Sequence, residues 1–312
     1  MQTHRCSTHD SRHKRNKIRY PLGYHMGNVF IYGLITILAV ICLVPLLNVL
    51  AVSFSSNRAA AAGEVGLWPV EFTTSSYQYA FTKPQFLTSF LVSLKRAALG
   101  LVINMTLTVL CAYPLSMTKQ EFRWRDRYVW FFFITMIFSG GLIPLYAVVR
   151  QTGIYNTIWA LVLPGAVPVF NVIILLNFFR QMPKELRESA MIDGANEFVI
   201  LRKILLPLCL PSIAALSLFI VVGHWNAWLD GLIYMRSPRD YPLQTYLRSL
   251  LVTQDMKTMA SMGQAELKML QEISDRTLKS AQIFIASIPV LAAYPFVQKY
   301  FMKGLVIGGV KG

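Results

Sequence analysis

His224, Trp225 and Asn226 stand in a row inside an apolar run of the sequence. An imidazole and a carboxamide supply hydrogen bonds and an indole supplies a flat apolar face. That combination suits a sugar ring, with C–H groups on its face and hydroxyls at its edge. Polar groups within an apolar segment often line a solute path. The same three residues would also serve as an interhelical hydrogen-bond staple or an interfacial aromatic anchor. Asn171 and Asn177 lie six apart in another apolar run, so a helix turns them to different sides and only one of them, Asn171 as the candidate, faces such a path. Asn104, in a third run, equally suits helix packing.

Catalytic chemistry finds no support. The sequence has no His-Glu-x-x-His and no Gly-x-Ser-x-Gly, and only His224 of the five histidines lies in an apolar run. Cys6, Cys42, Cys111 and Cys209 have no metal-ligand spacing, so neither a metal site nor a disulfide is expected. The carboxyl-terminal Gly304-Leu-Val-Ile-Gly-Gly-Val-Lys-Gly312 holds glycines and Lys311 but not Gly-x-x-x-x-Gly-Lys-Ser/Thr, so it is no phosphate loop. The chain reads as a non-enzyme with no cofactor of its own.

The elements that must position these residues are membrane helices. A composition of 54% hydrophobic and 14% charged residues over 312 leaves too little polar surface for a soluble globule, and mean hydropathy is +0.46. Six stretches are long enough, at about 20 residues each, to cross a hydrocarbon core of about 30 Å. They run from Val29 to Ser53, Ala97 to Met117, Tyr128 to Val149, Ile158 to Phe179, Leu208 to Trp228 and Ala281 to Phe301. All are expected to be helical, because a span satisfies its backbone internally and no barrel-like alternation is present. Lys95 and Arg96 interrupt an apolar run that begins near Phe86. They are expected to snorkel at the outer interface. Pro164, Pro168, Pro207 and Pro211 are expected to kink spans.

With the amino terminus inside, 18 of the 30 Lys and Arg flank the spans on the inner side. Seven of the other 12 lie in a long loop after Trp228, where charge counts little toward orientation. Both termini are therefore placed in the cytoplasm. The net charge of +15 is read as a partner for lipid head groups and not nucleic acid, because it flanks apolar spans and forms no aromatic-interleaved basic face. The basic tail from Arg5 to Arg19 is read as lipid-facing. It is not read as a cleaved signal, because the adjoining apolar run exceeds a cleavable core. The organisation is thus a basic tail (1–27), a six-helix membrane region (28–301) with an inner loop at 180–207 and an outer loop at 229–280, and a carboxyl-terminal tail (302–312). Leu243, Leu247, Leu250 and Leu251, then Leu267, Leu270 and Ile273, give the outer loop the look of short surface helices.

The inner loop carries the most specific string in the chain. Glu188-Ser189-Ala190 is followed by three residues, Gly194, nine residues and Ile204-Leu205-Leu206-Pro207. Pro183, Lys184 and Glu185 suit a first helical turn. Gly194 suits a bend, by a positive φ or by close backbone approach. Phe198, Leu201, Leu205 and Leu208 predict the inward stripe of a second helix that runs into a span. A helix-turn-helix is expected.

This string resembles the cytoplasmic coupling loop of bacterial ATP-binding cassette importer permeases, whose pattern is Glu-Ala-Ala, three residues, Gly, nine residues, Ile-x-Leu-Pro, with Ser189 here in place of an alanine. Ser139-Gly-Gly-Leu-Ile-Pro-Leu-Tyr146, Leu163-Pro-Gly-Ala166, Phe170-Asn171 and Gly223-His-Trp-Asn226 look like the carbohydrate branch, in particular the maltose-type second permease and the permeases for complex oligosaccharides and aldouronates. The resemblance runs from about Gly27 onward. It implies an all-α integral membrane protein of the type I importer permease fold, multi-pass in the bacterial cell membrane. The implied partners are an ATPase dimer that binds the ATP, a sister permease as heterodimer, and an extracellular solute-binding protein that meets the outer loop. Glu188, Ser189, Ala190, Asp193, Gly194, Ile204, Leu206 and Pro207 would then couple to the ATPase, with Glu188 exposed to a partner. Gly308, Gly309, Val310, Lys311 and Gly312 resemble a tail that docks into the ATPase interface. The implied cargo is an oligosaccharide. A permease for a peptide, polyamine or anion shares the loop, and a passive channel is the remoter alternative.

Overall fold

A computed structural model describes residues 22–252 and 275–308, and among these every regular element is helical. The chain divides into two units, one ending at Asn48 and one beginning at Val49. The described part of the first is the apolar helix α1 (Leu22–Ser53) as far as Asn48, including Pro45.

The second unit takes in the end of α1, then two short helices, α2 (Asn57–Ala62) and α3 (Ser75–Thr82), which precede α4 (Pro84–Ser116), an unbroken 33-residue helix. Then come α5 (Arg125–Ile137) and α6 (Leu142–Gln151), α7 (Ile158–Val162) and α8 (Val169–Gln181). The inner loop holds α9 (Glu185–Ile192) and α10 (Glu197–Ile200), continued by a π-turn (Leu201–Leu205) and α11 (Leu206–Leu208). Next are α12 (Leu210–Asn226), α13 (Leu229–Tyr234) and α14 (Leu243–Val252), and α15 (Asp275–Gly308) ends the described chain. The bundle is organised around α4, which packs on α8, α12 and α14, while α15 packs on α12 and α3.

Two unbroken helices, Met26–Ser53 and Pro84–Ser116, are long and apolar enough to cross a membrane. Three bent pairs meet the same standard when each is taken together. Arg125–Ile137 with Leu142–Gln151 turns by 114°, Ile158–Gly165 with Val169–Gln181 by 49°, and Glu197–Leu208 with Leu210–Asn226 by 83°. The third expected span is therefore not one continuous helix. Its break falls at Ser139-Gly140-Gly141, and Gly141 takes φ +83°, which a side chain would resist. The other two breaks sit at the expected prolines, Pro164 with Pro168, and Pro207 with Pro211. The sixth expected span lies within α15.

Other expectations need correction. Arg96 does not snorkel. Helix α4 starts well before the expected span, and Arg96 ends up 2% exposed within the bundle. Helix α14 is not a simple surface helix, because Leu243 is fully buried and Tyr246 nearly so. Leu267, Leu270 and Ile273, the tail from Arg5 to Arg19, and residues Gly309 to Gly312 lie outside the described residues; Gly308 is the last residue of α15.

Candidate functional site

The inner loop folds as a helix-turn-helix whose corner is set by two local devices. After α9, the Ala195 N–H donates to the Ala190 carbonyl (2.9 Å) and the Gly194 N–H to the Met191 carbonyl (3.0 Å), with Gly194 at φ +79°. This is the paired hydrogen-bond cap that a glycine just past a helix end permits. No atom comes within 4 Å of a Cβ built on Gly194, so of the two expected reasons for the glycine, backbone conformation applies and close approach does not. Shortly afterwards Asn196 caps α10, its side-chain oxygen accepting from the Val199 N–H at 2.9 Å.

The second helix faces the bundle through Ile200, Leu201, Leu205 and Cys209, all buried. Of the expected stripe, Phe198 is 64% exposed and Leu208 also points outward. The π-turn adds a residue to the helical ladder and rotates the turns beyond it, a shift that regular three- and four-residue spacing could not anticipate. Among the expected coupling residues, Ala190 is buried and Ile204 and Leu206 half-buried, while Glu188, Ser189, Asp193, Gly194 and Pro207 are exposed. Ile192, 86% exposed, joins Phe198 as an apolar projection at the corner.

An unforeseen ionic network ties this corner to the end of α4. Arg187 on α9 pairs with Glu197 on α10 (2.5 Å) and with Glu121, and the Tyr113 hydroxyl on α4 donates to Glu197. Glu121 also accepts from the Thr118 N–H at 2.7 Å and the Thr118 hydroxyl at 2.9 Å. Burial raises the Glu121 carboxyl, but the Thr118 hydrogen bonds and the Arg187 charge outweigh it and hold the group below its usual range. Burial likewise works against the Arg187 charge, and its two acidic partners overcome it. This network joins residues from three segments of the chain, and no local spacing announces it.

The polar residues read from the apolar runs partly converge. A cavity of about 490 Å³ is lined by Arg96 and Asn104 of α4, Asn171 of α8, His224 of α12 and Asp230 of α13, with apolar walls that include Leu145, Pro164, Phe219 and Tyr234. The Asn104 carboxamide nitrogen lies 3.1 Å from His224 Nε2. Arg96 grips both oxygens of Asp230 and donates to the Ala227 carbonyl at 3.2 Å. Gly100 makes room for His224, because a Cβ there would overlap the imidazole.

Trp225 and Asn226 are not in this cavity. The Trp225 indole is 2% exposed, packs edge-on against Phe90 and donates to the Ala286 carbonyl at 2.8 Å, so the structure makes it a packing anchor between α12 and α15. Asn226 lines an adjoining recess near Trp228 that shares Leu145, Gly223, Asp230 and Tyr234 with the cavity. Asn177 is exposed on the other side of α8 from buried Asn171, as their spacing requires. No group of three or more His, Cys, Asp or Glu able to hold a metal occurs among the described residues.

A family model described as the binding-protein-dependent transport system inner membrane component matches residues 85–306. The chain belongs to this family. The permease is 38% identical over 287 residues to the polygalacturonan/rhamnogalacturonan transport system permease protein YtcP of Bacillus subtilis, covering 91% of this chain and 98% of that one. It is 39% identical over 272 residues to protein LplC of the same bacterium, covering 87% and 90%. Among solved structures it superposes with a TM-score of 0.81 and 28% identity on a chain of a bacterial ATP-binding cassette transporter involved in the import of the acidic polysaccharide alginate, covering 91% of this chain and 100% of that one. It is therefore a membrane transport subunit of the importer permease type, not an enzyme.

Proposed function

We propose that this permease forms half of the translocation pathway of an ATP-driven oligosaccharide importer. Six spans with both termini in the cytoplasm would put the 180–207 loop against an ATPase dimer that binds the nucleotide. A sister permease completes the pore, and an extracellular solute-binding protein delivers cargo at the opposite end, near the 229–280 loop. The names of YtcP and of the alginate transporter support a sugar cargo.

The observation that carries the reading is the capped corner of the inner loop, which projects Glu188, Ile192 and Phe198 from a rigid base. Buried Ala190, Ile204 and the Arg187 network fix that base, so a push on the corner moves α4 and α12 instead of bending a loop. Glu188 would meet a basic or hydrogen-bonding partner, Ser189 and Asp193 would border the contact, and Gly194 would hold the angle. Leu206 and Pro207 form the joint with α12. The tail from Gly308 through Gly309, Val310 and Lys311 to Gly312 would dock between the ATPases, where few side chains favour threading a seam. The basic residues 1–27 would face anionic lipid.

The test is purification from native membranes through a tag on the amino-terminal tail, with Glu188→Lys in parallel. Recovery of an ATPase, a second permease and a binding protein, with the ATPase lost in the variant, is the expected result. Recovery of this chain alone in mild detergent, unaffected by the substitution, would overturn the reading.

A further inference from the structure

Helix α4 buries a polar stripe that packing alone does not account for. Ser89, Ser93, Arg96, Gly100, Asn104 and Thr108 stand at successive three- and four-residue intervals and all are buried. Ser89 Oγ, Arg96 Nε, Asn104 Oδ1 and Thr108 Oγ1 have no hydrogen-bond partner among the described residues. Leaving such an atom unpaired costs about 1–3 kcal/mol, so apolar side chains would serve a purely structural helix better. Two of the four residues, Arg96 and Asn104, line the 490 Å³ cavity. Across it stands Asn171, 6% exposed, whose carboxamide forms no hydrogen bond with the described residues.

The unused groups define what would fit. With the Asn104 amide nitrogen directed at His224 Nε2, Asn104 Oδ1 is left wanting a donor, while Asn171 offers both a donor and an acceptor. A hydroxyl donates and accepts at once. An anion is poorly served, because Asp230 already holds both ends of the Arg96 guanidinium and brings its own negative charge to the wall. Phe219 and Pro164 supply apolar surface for the face of a ring. The volume lies within the usual range of small-ligand sites.

We propose that this chain itself carries a sugar subsite, formed by Asn104, Asn171 and His224, which reads the neutral hydroxyl edge of a pyranose and not its carboxylate. The proposal rests on the oligosaccharide-importer reading. The Arg96–Asp230 pair walls the subsite and closes it to anionic groups.

The experiment is ATP-driven uptake by the whole importer complex in proteoliposomes, with two probes, trigalacturonate and its carboxyl-reduced counterpart α-1,4-galactotriose. The central variant is Asn171→Leu, which is close in size and breaks no hydrogen bond. The KM for both probes should rise about tenfold, the loss of one good hydrogen bond. The melting temperature should hold or rise, because a buried unpaired amide has been replaced by an apolar group. Asn171→Gln, which keeps the amide, should restore part of the affinity, and Asn104→Leu should raise KM for both probes again. An Asn171→Leu complex with KM within about twofold of wild type would overturn the subsite. A rise confined to trigalacturonate would overturn the hydroxyl class. Absence of ATP-driven uptake of either probe by the wild-type complex would instead overturn the oligosaccharide reading, and the subsite with it.

Discussion

The permease contains two arginine–carboxylate clusters of similar chemistry in opposite surroundings. Arg96 is enclosed in the bundle, its side chain 3% exposed, with one acidic partner reached 134 residues along the chain. Arg187 sits at the corner of the inner loop, 17% exposed, with two acidic partners that are 36% and 45% exposed. Water and salt reach the second cluster from all sides, whereas the first meets them only through Asp230, 26% exposed at the cavity wall, with its guanidinium kept out of reach. The difference separates a pair whose single partner cannot be removed alone from one that trims the position of a loop, and each can be tested against the other.

The largest effect is expected from breaking the enclosed pair on one side. Asp230→Ala leaves a buried guanidinium with only the Ala227 carbonyl, and removing one partner of a buried pair costs about 3–5 kcal/mol. The double variant Arg96→Met with Asp230→Leu removes both charges and should recover most of that loss, since buried pairs are often replaceable by well-packed apolar groups. Thermal unfolding of the detergent-solubilised complex at two salt concentrations would read both. A loss that depends on salt less than any change at the Arg187 cluster in the single variant, and recovery in the double, are expected. Equal loss in both would show that shape, not charge, holds the site.

Next is Gly100→Ala, which drives a methyl into the His224 ring and should cost about 1–3 kcal/mol as an overpacked contact. At the other cluster, Gly194→Leu places a branched side chain at φ +79°, a penalty of about 1–2 kcal/mol in the left-handed region. Nothing is there to collide with it, so Gly194→Asn should be tolerated. The leucine variant should insert and assemble, and the importer complex containing it should transport less cargo per ATP hydrolysed by its ATPase subunits. A normal ratio of transport to hydrolysis in that variant would remove Gly194 from the coupling role.

The two clusters also differ in how far the sequence disclosed them. The inner-loop corner is written in consecutive residues. A glycine just past the helix end and Asn196 at the next helix start are local turn chemistry, so the bend is legible, while the buried face is less so, with Phe198 exposed before the π-turn and Leu208 pointing outward beyond it. The cavity is written across the chain. Asn104 meets His224 at a separation of 120 residues, and no local pattern joins them. A weaker signal does exist, the polar stripe from Ser89 to Thr108 in an otherwise apolar helix, whose period marks one buried face. Treating Arg96 as a snorkelling charge masks it, because that places the start of the span too late. Trp225 misleads in the opposite way. Adjacency to His224 in sequence puts the two side chains on different sides of a helix, so only one of them can reach the cavity.

The smallest effects belong to the exposed cluster. Glu121→Gln should cost about 1 kcal/mol or less at low salt and fade as ionic strength rises, as partly exposed pairs do. Its pH dependence has a definite sign. The Glu121 carboxyl is held below its usual value in the folded protein, so the unfolded chain binds its proton first as pH falls. The contribution is complete above the ordinary glutamate value of about 4.3 and is lost as pH falls through the depressed folded value. Loop docking, followed by amide exchange at residues 185–200, should therefore be flat from neutral pH down to about 5 and loosen only below it. In Glu121→Gln that acid-side loosening should shrink, leaving the share set by Glu197. A wild-type loop that loosens between about pH 6 and 7 would point to a histidine. None lies in the inner loop, so such a result would mean that the corner is held by something other than this network.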